Sequence, residues 1–297
     1  AKNKVIAALK PSKITLTGIF KYGGEASREN MDALMAHPEV AQADMVFACG
    51  GGKAIDTCKV LSQESGRPFF TLPTIASTCA SCTCLGIIYH PDGSLREYSF
   101  QTHPAEWIFI DTQIIAEAPD QYLWAGIGDT MAKYYECTTS ARGGEYPHDT
   151  AMGIQISSLC AAPLVKYGVK ALEECRANTP GDALKEIVLG IIISTGFVSN
   201  LVGIDLNTGL AHACYNGFTV VANVEKHNHL HGEIVAYCIL ILLTVDGQKD
   251  EYEKIFSFSH SMGFPTRLSH IHAAPADVDT MIEKALSGID VRQWPYP

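Results

Sequence analysis

MVFACGGGKAIDTCKVL, residues 45–61, joins a short apolar run to three successive glycines and then to a helical pattern. Residues 45–49 predict a buried strand, 50–52 a tight turn and 53–61 a helix. Glycines at such a turn let the backbone approach a ligand closely, and the free N–H groups of the helix favour a pyrophosphate. The stretch predicts a dinucleotide cradle. A purely structural turn is the alternative, because the G-x-G-x-x-G spacing is absent.

The segments around this stretch alternate between strand-like and helix-like patterns. Residues 14–19 form a β-branched run that predicts a strand, and Ser27 predicts the N-cap of a helix with Glu29 in its first turn. Further strands are predicted at 69–72, 87–89, 95–98 and 107–110, the middle two joined as a hairpin by the turn at 91–93. This alternation predicts an α/β domain with a mainly parallel sheet.

After Pro119 the pattern changes to long apolar stretches at helical spacing, with glycines at their ends. We therefore predict a dinucleotide-binding α/β domain over residues 1–118 and an all-α, metal-binding domain over residues 119–297. The uncharged stretch 187–204 contains small and polar residues. It predicts a buried core helix rather than a membrane span, which needs about 20 predominantly apolar residues.

Composition limits the classes of partner. The net charge of −10, from 22 basic and 32 acidic residues, offers no basic surface for nucleic acid or an anionic membrane, so we expect a small-molecule substrate. Ten cysteines follow no disulfide framework, which indicates reduced thiols in a cytoplasmic protein. Cys79, Cys82 and Cys84 lie close together but lack the second pair of a zinc-finger spacing, which disfavours a metal or redox cluster.

Three residues of the helical region are candidate metal ligands. Asp129 follows two closely spaced glycines, His212 lies between alanines, and His231 precedes an apolar helical stretch. One carboxylate and two imidazoles suit Zn²⁺ or Fe²⁺, with coordination positions left for water or substrate. The spacing alone does not establish a site. His227 and His229 are consistent with a surface histidine cluster, and His227 is also an i, i+4 neighbour of His231 if the segment is helical.

Five motifs, in order along the chain, resemble the iron-containing alcohol dehydrogenase superfamily, and specifically its glycerol dehydrogenase-like branch. They are GGGKAID at 50–56, PTIAST at 73–78, GIGDTMAKYYE at 126–136, AHACYNGF at 211–218 and HLHGEIVAY at 229–237. The resemblance covers essentially the whole chain. It implies a nucleotide-binding α/β domain, a helical domain and a cleft between them that holds one divalent ion, with Zn²⁺ favoured over Fe²⁺.

The resemblance also implies roles for individual residues. Asp129, His212 and His231 fall on the family's metal-ligand positions. NAD or NADP would be the cofactor, with the pyrophosphate at the glycine turn and the adenosine and nicotinamide portions along the next strands and loops. The implied cofactor residues are Gly50, Gly51, Gly52, Lys53, Asp56, Thr74, Ser77, Thr83, Leu85 and Tyr89. The family's opening strand and final helices are expected to lie outside residues 1–297.

One departure from the family pattern bears on the substrate. Glycerol dehydrogenases carry an Asp that receives a substrate hydroxyl after the Ser-Thr pair, and this sequence has Cys79 there. The LGIIYHPDGSLREY and AGIGDTMAKYYE segments resemble the hydroxycarboxylate dehydrogenases of the branch, which reduce short 2-oxo acids. A neutral thiol would not repel a substrate carboxylate, whereas an Asp would. We therefore expect Cys79 to line the substrate pocket of a 2-hydroxy acid dehydrogenase.

We hypothesise that hydride is transferred between nicotinamide and the carbon of the substrate that bears the oxygen. A bound ion would act as a Lewis acid. Glycerol dehydrogenase is the alternative within the same enzyme class. A dehydroquinate synthase-like lyase is the alternative from another class, disfavoured because few basic residues lie near the motifs. A non-catalytic nucleotide-binding module is a third alternative. The resemblance implies a homo-oligomer.

Overall fold

A computed structural model describes residues 1–288 and 290–291, and the contacts within it divide the chain into two compact units, Ala1–Ala118 and Pro119–Pro297. The first unit mixes strands and helices. Its elements in chain order are α1 (Lys2–Leu9), α2 (Arg28–Met35), α3 (Pro38–Ala41), β1 (Val46–Gly50), α4 (Gly52–Glu64), β2 (Phe69–Pro73), β3 (Leu85–Tyr89), β4 (Leu95–Phe100), β5 (Trp107–Ile108) and α5 (Thr112–Ala116). The predicted Ser27 N-cap is confirmed, since its side chain accepts a hydrogen bond from the Asn30 amide.

A parallel sheet forms the centre of this unit, with strand order β1-β2-β5. β1 and β2 pair in register from Val46 opposite Phe69 to Gly50 opposite Pro73, so both strands end at the same edge. α4 packs against the sheet, and Ile55 of α4 forms a buried cluster with Ala48 of β1 and Phe69 of β2. β3 and β4 pair separately as the predicted antiparallel hairpin. The predicted fold class is confirmed for this part of the chain.

The predicted strand at residues 14–19 is wrong. The structure has no strand there, and Ile14, Leu16 and Ile19 are each about half exposed. A β-branched run becomes a strand only when a neighbouring strand takes up its backbone hydrogen bonds. The segment pairs with no strand in the described part of the chain, so local propensity alone does not produce one.

The second unit is helical, as predicted. Its helices are α6 (Asp120–Ser140), α7 (His148–Ile156), α8 (Ala162–Arg176), α9 (Asp182–Leu189), α10 (Thr195–Leu201), α11 (Ile204–Asn207), α12 (Leu210–Phe218), α13 (Ala222–Lys226), α14 (His231–Val245), α15 (Lys249–Met262) and α16 (Val278–Leu286). A π-helical turn, Gly190–Ser194, joins α9 to α10. α6 is buried along most of its length and contacts α8, α12 and α14.

The stretch Asp182–Leu201 is long and apolar enough to cross a membrane by length and composition, and half of its most apolar window is buried within the protein. Ile187, Val188, Ile191 and Ile192 have no exposed surface. α9 packs on α8, so these side chains belong to the core of the second unit. A single such helix is weak support for a membrane span.

α6 and α14 cross with their backbones in contact. A Cβ at Gly128 would meet the carbonyl oxygen of Gly232, and a Cβ at Gly232 would meet the carbonyl oxygen of Ala125. Helices separated by ordinary side chains stand about 8–10 Å apart, and a crossing without side chains is closer. The contact therefore requires glycine on both helices, beside Asp129 on one and beside His231 on the other.

We expect Gly128→Ala to lower the free energy of unfolding by about 1–3 kcal/mol, the usual cost of overpacking. Alanine is the better helix former by roughly 0.5–1 kcal/mol, so without the crossing the change would stabilise the protein. Urea denaturation followed by circular dichroism measures the difference. Gly203→Ala is the control, because a Cβ there meets nothing within 4 Å. A Gly128→Ala protein as stable as the parent would contradict the close crossing.

Candidate metal centre

Asp129 lies midway along α6 and supplies the carboxylate of the candidate centre. His231 is the first residue of α14, whereas the sequence analysis places it just ahead of that helix. Because α6 and α14 touch at Gly128 and Gly232, the two side chains meet, with His231 Nε2 3.0 Å from Asp129 Oδ1. The helix crossing thus brings together two predicted ligands that are far apart in the sequence.

His212 lies in the first turn of α12, which packs against both α6 and α14. Its Nε2 lies 3.4 Å from the same Oδ1 of Asp129. The ligand atoms of Asp129, His212 and His231 all lie within 4.8 Å of one another. In the part of the chain that the structure describes, no other group of three histidine, cysteine or acidic side chains is arranged in this way.

The donor set fits a divalent transition metal. Two imidazole nitrogens and one carboxylate oxygen form the three-ligand set of catalytic zinc sites, which leave a position for water or substrate. Asp129 and His212 are largely buried, whereas the side chain of His231 is 43% exposed. Asp129 and His212 therefore form the buried part of the centre, and His231 forms its exposed part.

Neighbouring charges and hydrogen bonds shift the pKa values of His212 and Asp129. Burial would lower the pKa of His212, but the charge of Glu136 and hydrogen bonds with Asp129 and Glu136 outweigh it and raise the pKa to about 10. Burial would raise the pKa of Asp129, but the charge of His231 and hydrogen bonds from both histidines hold it far below its usual range. Without an ion, Asp129 is ionised at neutral pH and His212 carries a proton that compensates it.

Two residues at the centre are missing from the sequence prediction. Glu136, two helical turns after Asp129 on α6, is buried and hydrogen-bonded to the His212 ring. Its i, i+7 spacing from Asp129, within the motif at 126–136, is the signal that could have indicated it. Tyr215, one turn after His212, places its ring 4.1 Å from the His231 ring in an edge-to-face contact, and burial raises the pKa of its hydroxyl.

His227 and His229 do not join the candidate centre. His227 follows α13 and is exposed, and its ring stacks on that of His272 at a centroid distance of 3.6 Å. His229 is nearly buried between Glu233, 2.9 Å from its Nδ1, and His272, 2.8 Å from its Nε2. The segment between α13 and His231 is not helical, so His227 and His231 are not neighbours on one helix face.

The glycine turn lies at the carboxyl end of the parallel sheet. Gly50 ends β1, and Gly51 is the N-cap of α4 without a side-chain cap, which leaves the first N–H groups of the helix for a ligand. The Thr74 amide donates to the Gly50 carbonyl at 3.0 Å, which joins this turn to the loop after β2. A Cβ at Gly51 would meet Ile75, and one at Gly52 would meet Thr78. The turn therefore packs against the loop after β2, and the pyrophosphate cradle stays a prediction.

Lys53 and Tyr89 are neighbours in the first unit, as two residues of one cofactor site would be. The Lys53 ammonium lies 5.8 Å from the centre of the Tyr89 ring. It donates a hydrogen bond of 2.7 Å to Glu25, a residue that the sequence analysis does not identify. Lys53 is thus a half-exposed cation at the start of α4, held by a carboxylate.

Asp56 and Thr83 are buried, and their polar atoms bond within the unit. Lys59, only 2% exposed, donates to Asp56 at 2.9 Å, to Thr83 at 3.3 Å and to the Leu85 carbonyl at 2.6 Å. The second Asp56 oxygen accepts the Ile87 amide at 3.3 Å. The two residues thus tie α4 to the start of β3, and their direct contact with a cofactor stays a prediction.

The remaining predicted residues lie in the loop after β2 and at the start of β3. Thr74, Ser77 and Cys79 are partly buried in the loop after β2, and Leu85 begins β3. The carbonyl of Cys79 accepts hydrogen bonds from the amides of Cys82 and Thr83, so the loop turns back at Cys79. Burial raises the pKa of Cys82 to about 12, which keeps that thiol protonated and unsuited to binding a metal.

Several known proteins are similar to this chain in sequence. The family model for iron-containing alcohol dehydrogenase matches residues 1–112. A glycerol dehydrogenase of Thermotoga maritima is 34% identical over 256 residues, an alignment that covers 84% of this chain and 68% of the relative. Hydroxycarboxylate dehydrogenase A of Escherichia coli is 31% identical over 273 residues, covering 91% of this chain and 75% of the relative.

The fold also matches solved structures. The crystal structure of glycerol dehydrogenase from Schizosaccharomyces pombe superposes with a TM-score of 0.86 at 26% sequence identity, over 99% of this chain and 75% of that chain.

We expect the affinity for Zn²⁺ to rise with pH, by about tenfold per unit, up to the His212 pKa of about 10. Below that pH His212 is protonated in the metal-free protein, and a ligand imidazole must first lose its proton. Chelator competition at pH 6, 7 and 8 measures the affinity, and calorimetry in buffers of different ionisation enthalpy counts the released protons. An affinity independent of pH would contradict the protonation of His212.

Proposed function

We propose that the chain transfers hydride between a nicotinamide cofactor and a small hydroxy acid. The chain belongs to the iron-containing alcohol dehydrogenase family and to its glycerol dehydrogenase-like branch. It is a metal-dependent alcohol dehydrogenase. The proposed reaction interconverts a 2-hydroxy acid and a 2-oxo acid. Glycerol oxidation to a hydroxyketone is the alternative for the same site.

The convergence of Asp129, His212 and His231 is the observation that carries the proposal. Three ligand atoms within 4.8 Å of one another, two of them imidazole nitrogens, favour Zn²⁺ over Fe²⁺ as the resident ion. When bound, such an ion supplies Lewis acidity to the substrate oxygen, and the nicotinamide supplies the hydride acceptor.

The chain's own residues hold and orient these groups. Asp129 provides a buried negative charge, and the two imidazoles provide neutral donors once His212 has lost its proton. Tyr215 packs against His231 and restricts the rotation of its ring. The exposed side of His231 leaves the position through which a substrate oxygen would approach.

The glycine turn supports NAD or NADP as the cofactor. We assign the pyrophosphate to Gly50, Gly51 and Gly52 and to the first N–H groups of α4, with Lys53 as the balancing cation. Thr74, Ser77, Leu85 and Tyr89 are assigned to the rest of the cofactor. Asp56 and Thr83 would act beneath this surface through Lys59, which joins them.

The preference for a hydroxy acid rests on Cys79. A thiol in this loop places no fixed negative charge beside a substrate carboxylate, whereas two like charges 4 Å apart repel by roughly 4 kcal/mol at an effective dielectric constant of 20. The similarity to hydroxycarboxylate dehydrogenase A supports the same preference. We further propose that the enzyme acts in the cytoplasm as a homo-oligomer.

We expect His212→Ala to lose the bound divalent ion and at least a hundredfold in turnover, because a two-ligand site holds the ion too weakly. Elemental analysis gives the metal content, and nicotinamide absorbance gives the turnover. His260→Ala, at an exposed position on α15, should retain both. Full metal content together with full turnover in His212→Ala would overturn the assignment of the centre.

We expect Cys79→Asp to lose at least tenfold in kcat/KM for short 2-oxo acids and to gain activity toward glycerol and dihydroxyacetone. The introduced carboxylate repels an acid substrate and accepts a hydrogen bond from a polyol hydroxyl. Cys79→Ser is the matched control, since it is small and neutral and should keep the preference for 2-oxo acids. A parent enzyme that turns over glycerol but no 2-oxo acid would establish the alternative.

A further inference from the structure

Glu136 is a buried carboxylate whose charge requires an explanation. Its side chain has no exposed surface, and in the described part of the chain only the His212 ring lies within ion-pairing distance. An isolated ionised carboxylate is costly to bury unless hydrogen bonds replace the lost water. The bonds that Glu136 accepts therefore indicate its role.

Both oxygens of Glu136 are used, and the hydrogen bonds that they accept from the described residues come from the beginning of α12. Oε1 accepts the backbone amide of Gly209 at 2.9 Å and that of His212 at 2.8 Å. Oε2 lies 2.7 Å from Nδ1 of the His212 ring. Gly209, the N-cap of α12, has no side-chain cap of its own, so Glu136 satisfies N–H groups that the helix start leaves free.

The close approach of α6 to the start of α12 depends on Gly209. A Cβ there would lie 3.2 Å from Cβ and 3.3 Å from Cγ of Glu136, tighter than most packed carbon atoms show. The glycine thus admits the carboxylate to the helix start. One side chain thereby fixes both the backbone and the ring of His212.

This geometry determines which ring nitrogen of His212 faces the metal ligands. An ionised carboxylate only accepts hydrogen bonds, so Nδ1 must carry the proton that points to Oε2. When the ring loses its second proton to bind an ion, the lone pair is then on Nε2, which faces Asp129 Oδ1 at 3.4 Å. His231 has no comparable carboxylate at its second nitrogen among the hydrogen bonds of the described residues.

We propose that Glu136 is a positioning residue that holds the His212 ring with Nδ1 protonated and Nε2 directed at the bound ion, an inference that rests on the metal centre of the proposed function. Its carboxylate adds negative charge next to the ligand and raises the basicity of the imidazole. Asp129 and Glu136, both on α6, thus act on the same ion, one directly and one through His212.

The test is Glu136→Gln in the zinc-loaded protein. Glutamine keeps the shape but has one acceptor oxygen, which the two backbone amides would occupy, so its NH₂ group would face Nδ1. Nδ1 would then have to be an acceptor, which places the proton on Nε2 and opposes coordination. We expect the Zn²⁺ dissociation constant, measured by chelator competition, to rise 10- to 100-fold.

Nuclear magnetic resonance of the zinc-loaded parent, labelled with ¹⁵N in histidine, supplies a readout that a purely structural role would not change. We expect His212 to carry its proton on Nδ1, in slow exchange with solvent, and to bind zinc through Nε2. Coordination through Nδ1 would overturn the proposal even if Glu136→Gln fails to fold. So would a Glu136→Gln protein with the parent's zinc affinity.

Glu251→Gln is the matched control, since Glu251 accepts a hydrogen bond of 2.9 Å from Tyr135, the residue before Glu136 on α6, but does not contact the centre. It should leave the zinc affinity unchanged. A loss of zinc affinity as large as that of Glu136→Gln would assign the effect to general loosening of α6 and overturn the proposal. A parent protein that binds no zinc or iron at all would instead contradict the metal centre itself.

Discussion

Backbone contact between α6 and α14 is the constraint on which the second unit depends. Glycine on each helix removes the side chains that would keep the two axes apart, so carbonyl groups of one helix lie against the α-carbons of the other. The ligands Asp129 and His231 are the residues next to those glycines. A change in the separation of the two helices would therefore change the distance between the ligands by a similar amount.

α6 also determines the position of the third ligand. Asp129 and Glu136 lie two turns apart on one face of the helix, and both reach His212. Two carboxylates buried so near one another are unfavourable without compensation, and the histidines and backbone amides around them supply part of it. A divalent ion would supply the rest. The local excess of negative charge is thus a physical reason for the centre to select a cation.

Much of the fold could be predicted from local sequence pattern, and part of the site could not. The strand, glycine turn and helix at 45–61 follow from short-range patterning, and the structure has them at nearly the predicted bounds, although Ala48 is the only buried residue of the predicted buried strand. The run at 14–19 failed because strand formation depends on a partner that propensity does not specify. Asp129, His212 and His231 were identified from their motifs, not from spacing. Glu136 was missed because its role depends on how α12 packs against α6.

The interlocking of the two loops at the sheet edge has a thermodynamic consequence. The glycine turn after β1 packs beneath Ile75 and Thr78, and the Thr74 amide fastens one loop to the other without any ligand. A surface assembled in advance loses little conformational entropy when a cofactor binds, so more of the interaction energy remains as affinity. The same hydrogen bond and packing contacts couple the motions of the two loops, since neither loop can move away without breaking its contact with the other.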